Sequence, residues 1–72
     1  MRSPTLTATD VKHHLDLLHE ERQLAVEIGL ASDGAYMADL EDEIAACRAA
    51  YIGAAVTEIA TMRAELSGPL IG

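Results

Sequence analysis

A chain of 72 residues holds one domain at most, and a core this small usually needs help from disulfides, metals or partner subunits. Cys47 is the only cysteine, which excludes an internal disulfide and fits a reducing compartment. A formal net charge of −7, from 12 acids against 5 lysines and arginines, argues against gripping nucleic acid through its phosphates and leaves a basic protein surface as an admissible partner.

Residues 1–6 read as a tail. Arg2 is followed by no apolar run of the kind a secretory signal carries, and no stretch of about 18 uncharged apolar residues occurs. The expectation is a cytoplasmic protein with no membrane span. Only Tyr36 and Tyr51 are aromatic, so stacking platforms for bases or sugars are nearly absent.

The hairpin is expected over residues 7–67, with its first helix at about 8–28. Thr7 suits the N-cap and Asp10, three residues on, completes a capping box, while Leu6 and Val11 are spaced as a hydrophobic staple. No glycine or proline interrupts the run to Ile28. At helical spacing Lys12, Asp16, Glu20, Gln23 and Glu27 form one polar stripe. Val11, Leu15, Leu18 and Ala25 lie opposite, widened by Leu17, Leu24 and Ile28.

Gly29 fits the left-handed position that ends a helix, and 29–33 then forms a tight turn between antiparallel helices. Ser32 is the expected N-cap of a second helix over about 33–67, stopped by Gly68-Pro69, with 68–72 as a tail. Its apolar seam reads Met37, Leu40, Ile44, Cys47, Tyr51, Ala55, Ile59, Met62 and Leu66, close to 3.6 residues per step. Between Ile44 and Val56 only Arg48 is charged, and a helix apolar all round is buried on more than one side. Ala46, Ala50, Gly53, Thr57 and Ala64 add a ridge of small residues. That ridge reads equally as a helix-approach face or as simple alanine richness.

Fold the chain at 29–34 and residue i of helix one lies beside roughly 63 − i of helix two. Cover then ends near Ala55, and about a dozen residues project some 18 Å beyond it at 1.5 Å each. Val56, Ile59, Met62 and Leu66 lie on that overhang, so they, with Ala50 and Gly53, are the candidate oligomer interface. The expected fold class is all-α: an antiparallel two-helix hairpin that dimerises into a four-helix bundle.

The stretch Leu15-Asp16-Leu17-Leu18-His19-Glu20-Glu21-Arg22-Gln23-Leu24-Ala25-Val26-Glu27-Ile28-Gly29 resembles the first-helix segment of the helical chorismate mutases. The likeness covers about a quarter of the chain. It implies an all-helical, dimeric, cofactor-free protein whose arginines and lysine bind a dianionic substrate. The family's active-site arginine in this helix falls on Glu21 and its lysine on Ser32, so both substrate-binding cations are missing here.

The remaining chemistry is thin. His13, Asp16 and Glu20 share a face, but no His-x-x-x-His pair and no Glu-x-x-His motif accompanies them, so a solvated polar face accounts for them and no metal is expected. Cys47 lies on the apolar seam without a placed base, and the glycines have no phosphate-cradling spacing. No catalytic or cofactor-binding residue is assigned. His14 and Glu21 fall in the apolar arc, where a charge needs a partner. Arg48 of a second protomer is a candidate for Glu21, in a polar core that sets register, the alternative being a wet edge. Arg22 comes level with Glu41 and Asp42 for a cross-helix pair.

Eight of the 12 acids lie toward the turn end, where Arg22 is the only basic residue. Asp39, Glu41, Asp42 and Glu43 form its acidic tip. The functional expectation is therefore a noncatalytic protein–protein interaction module, a small dimeric adaptor, regulator or accessory of the size common in phages and mobile elements. Its alternatives are an acidic inhibitor docking on a basic, nucleic-acid-binding surface, and a mutase-like enzyme or inactive relative.

Overall fold

The computed structural model describes residues 6–68, so the tails 1–5 and 69–72 lie outside the described residues. Two helices, α1 (Ala8–Glu27) and α2 (Gly34–Ser67), are joined by a short 3-10 turn, Leu30–Ser32, and no strand occurs among the described residues. The fold is an all-α hairpin.

Local sequence explains each end. Thr7 sits in extended backbone and its side chain accepts from the Asp10 amide, while Asp10 reaches back to the Thr7 amide, both at 3.1 Å. That reciprocal pair satisfies two of the amides a helix start leaves unbonded. At the other end Gly29 adopts φ +90°, a conformation that strains any residue with a Cβ. The N-cap of α2 is Asp33, not Ser32 as the sequence suggested. Asp33 accepts from the Tyr36 amide at 3.1 Å, whereas the Ser32 hydroxyl donates to the Gly29 carbonyl at 3.1 Å. The extra 3-10 turn uses up Ser32 and delays α2 by one residue.

The core is small. Ala8, Val11, Leu15, Leu18 and Ala25 of α1 are buried, with Leu40 and Ile44 of α2. Leu15, Leu18, Leu40 and Ile44 make its centre, with Tyr36 and Cys47 packed against them. The expected seam of α2 splits along its length. Leu40 and Ile44 are buried, Met37, Cys47, Tyr51 and Ala55 half-buried, and Ile59, Met62 and Leu66 exposed. The middle of α2 is covered on one side only: Ala45, Ala46, Arg48, Ala49, Ala50, Ile52 and Gly53 are all exposed. The expectation of burial on several sides is not met within one chain.

Three of the polar contacts between the helices mark how far they overlap. Arg22 pairs with Glu41, the Cys47 thiol donates to the Val11 carbonyl at 3.6 Å, and the Ala8 amide donates to Glu58 Oε2 at 2.5 Å. The last contact adds an acidic cap at the positive end of α1, which the capping box alone does not complete. It also moves the end of the cover three residues past Ala55. Among the described residues α2 projects alone from Ile59 to Ser67, about 14 Å at 1.5 Å per residue. The radius of gyration is 17.8 Å, against about 11 Å for a compact domain of this length.

By length and composition α2 is also apolar enough to cross a membrane, its best 18-residue window having a mean hydropathy of 1.2. The stricter test, an uncharged run, fails because Arg48 and Glu58 interrupt it.

Candidate functional site

Two separate apolar surfaces remain exposed, and helical geometry places them on different sides of the hairpin. The first lies on α2 beyond and beside the end of α1. Ile52, Val56, Ile59, Met62 and Leu66 are 54%, 58%, 58%, 59% and 78% exposed. Their spacing of three and four residues puts them on one broad stripe. Arg63 falls within its arc, and Arg48 lies on its line one turn before Ile52. Val56, Ile59, Met62 and Leu66, anticipated as interface, are thus brought together.

Ala50 and Gly53, anticipated with them, are not. Both are exposed, but each lies about a third to half a turn from Ile59 at 3.6 residues per turn. They belong to the second surface, an open groove of about 710 Å³ between the helices, lined by Leu6, Asp10, Val11, His14, Glu43, Ala46, Cys47 and Ala50. A smaller hollow of about 380 Å³, lined by Leu6, Thr7, Gly53, Ala54, Thr57 and Glu58, continues it along α2. The hollows exist because α2 presents alanine and glycine here. An added Cβ at Gly53 would meet no atom of the described residues within 4 Å.

From Asp10 and His14, which line the groove, an exposed line of residues continues along α1. Asp10, His14, Leu17, Glu21, Leu24 and Ile28 repeat at alternate steps of four and three, within an arc of about 80° at 3.6 residues per turn. That arc stands roughly a quarter to a third of a turn from the buried seam through Val11, Leu15 and Leu18. Leu17, Leu24 and Ile28, which were expected to widen the core face, are 49%, 56% and 64% exposed instead. A hairpin has one neighbouring helix, and these three apolar side chains lie outside its contact.

Within one chain the expected polar core is not enclosed. His14, Glu21 and Arg48 are all exposed, and no buried polar or charged residue occurs among the described residues. Glu21 finds its partner within the chain, accepting from the Tyr36 hydroxyl at 2.5 Å. That hydrogen bond, ahead of the nearby charges, holds the Tyr36 phenol above its ordinary value. Neither Tyr36 as a partner nor Glu58 as a cap was anticipated. Both are long side chains acting across the hairpin, and their contacts depend on register rather than on local pattern.

At the acidic tip Asp39, Glu41, Asp42 and Glu43 are all exposed, and Arg22 is committed to Glu41. On the polar stripe Lys12 bridges Asp16 at 3.0 Å, and that bond raises the lysine above its ordinary value. No group of three or more His, Cys, Asp or Glu side chains able to hold a metal occurs among the described residues. Comparison with protein families, curated proteins and solved structures returns no match for this chain.

Proposed function

We propose that the chain is a noncatalytic protein–protein interaction module that works as a homodimer, two hairpins forming a four-helix bundle. One observation carries the reading: the uncovered stripe Ile52, Val56, Ile59, Met62 and Leu66, on which no acid interrupts the apolar surface. A compact chain of this mass exposes about 4,300 Å², whereas this one exposes 5850 Å². The excess exceeds the ~800 Å² per partner that a standard interface buries.

A two-fold axis beside Ile59 makes the stripe self-complementary in antiparallel pairing. Ile59 then meets its own copy, Ile52 meets Leu66, and Val56 meets Met62, by symmetry of their numbers about 59. Such a dimer buries the overhang that one hairpin leaves exposed.

Sedimentation equilibrium tests this. Wild type is a dimer at micromolar concentration, and Ile59→Asp is a monomer. Each lost isoleucine burial removes roughly 1.5–3 kcal/mol and the two-fold counts it twice, which corresponds to about a hundredfold or more in Kd. A wild-type monomer, or an Ile59→Asp chain that stays dimeric, refutes the pairing.

A second reading, an acidic inhibitor of a basic, nucleic-acid-binding protein, is favoured by the tip. Asp39, Asp42 and Glu43 are exposed there while the nearby cation, Arg22, is taken by Glu41. The chorismate-mutase likeness gives catalysis no comparable support. Glu21 stands at a position that must attract a dianion, and its carboxylate repels one.

A further inference from the structure

We infer that the groove between α1 and α2 accepts a basic amphipathic helix of a different protein, forming a third helix against the hairpin. The inference rests on the reading of the chain as an interaction module, but it uses a separate surface from the dimer stripe.

The occupant is a helix because both walls are built for one. On the α1 side the groove is lined by Leu6, Asp10, Val11 and His14, and Asp10 and His14 begin an exposed line that continues beyond it through Leu17, Glu21, Leu24 and Ile28 at the alternating four–three spacing of a helix-packing seam. It is a second seam, since α1 already uses Val11, Leu15 and Leu18 against α2. On the α2 wall the lining between Glu43 and Glu58 includes Ala46, Ala50 and Gly53, small enough to admit another helix at close range. From Glu43 to Glu58 the two hollows run about 22 Å at 1.5 Å per residue, some four turns of helix.

The occupant is basic because the walls are acidic. Asp10 and Glu43 line the groove, Glu21 continues the α1 seam and Glu58 stands at the far end. Among the described residues no lysine or arginine lines either hollow. A second copy of this chain would bring the same acids to the same place, on a molecule of net charge −7, and like charges brought together across an interface act against it.

The test uses three synthetic helical peptides of four to five turns. One has leucine and alanine on one face and lysine on the other, a second has the same composition scrambled, and a third carries glutamate in place of lysine. Calorimetry with the full chain should show binding of the first peptide alone, at least tenfold weaker at high salt, as a charge-matched contact requires. Glu43→Lys and Ala50→Lys, both at exposed helical positions, should each weaken it at least tenfold. Their circular dichroism and dimer mass should match wild type.

Ile59→Asp separates the two surfaces: a monomer that still binds the peptide supports the groove even though the dimer is gone. A wild-type chain that proves monomeric yet binds the peptide overturns the dimer reading and leaves the groove standing. The inference is overturned if the scrambled or acidic peptide binds as well, or if both groove variants bind like wild type. It is equally overturned if Glu43→Lys or Ala50→Lys dissolves the dimer, for the groove is then the self-association face.

Discussion

Gly53 gives the sharpest stability test. It lies well inside α2, 14 residues before Ser67, with helical neighbours on both sides. Glycine in a helix interior is worse than alanine by about 0.8–1 kcal/mol, because its backbone loses more freedom on folding. The gain is realised only if the new methyl group has room, and an added Cβ at Gly53 meets no atom of the described residues within 4 Å. Gly53→Ala should therefore stabilise the chain by about 0.5–1 kcal/mol. At roughly 4–8 °C per kcal/mol for a domain of this size, Tm should rise by several degrees. Gly29 supplies the opposite sign. There φ is +90° and the space is also open, so Gly29→Ala should cost about 1–2 kcal/mol from backbone strain alone. Thermal melts followed by helical circular dichroism, at one fixed protein concentration because a dimer's Tm depends on it, compare the three chains. A fall in Tm for Gly53→Ala refutes the reasoning, since it means that something packs closely on that face in the isolated protein.

The correction at the turn predicts an asymmetry between neighbours. Asp33→Ala removes the N-cap of α2 and should cost about 1 kcal/mol, whereas Ser32→Ala, losing one exposed hydroxyl bond, should cost well under that. Equal losses in denaturant melts would return Ser32 to the cap. The Tyr36–Glu21 bond predicts a pH effect. Its proton is held in the folded chain, so the phenol titrates above its ordinary value. The bond's contribution to stability is present below the unfolded-state value and is lost as pH rises through the folded one. In a Tyr51→Phe chain, where Tyr36 is the only phenol left, an absorbance titration should place its midpoint above that of the denatured chain. Glu21→Gln should lower that midpoint, and an unchanged midpoint would show that the bond does not form in solution.

Thr7, Asp10, Gly29 and the long run without proline or glycine before it were enough to place α1 and the turn from sequence alone. Their effects are local: a side chain bonds an amide three residues away, or a missing Cβ admits φ +90°. The core face of α1 through Val11, Leu15 and Leu18 was legible for the same reason, since 3.6-residue periodicity needs no knowledge of the partner. The partner decided the rest. Leu17, Leu24 and Ile28 carry the same apolar signal as the buried residues, and only the direction of α2 left them outside. Ile59, Met62 and Leu66 continue an unbroken seam, and only the length of α1 left them uncovered. Glu21 looked like a charge in an apolar arc until the register brought Tyr36 to it. Glu58 looked like a surface acid until the same register placed it on the first amide of α1. Periodicity states which side chains share a face, but a hairpin has one interface for two apolar arcs. Which arc is buried depends on the rotation and overlap of whole helices, and those are set by contacts between residues far apart in the chain.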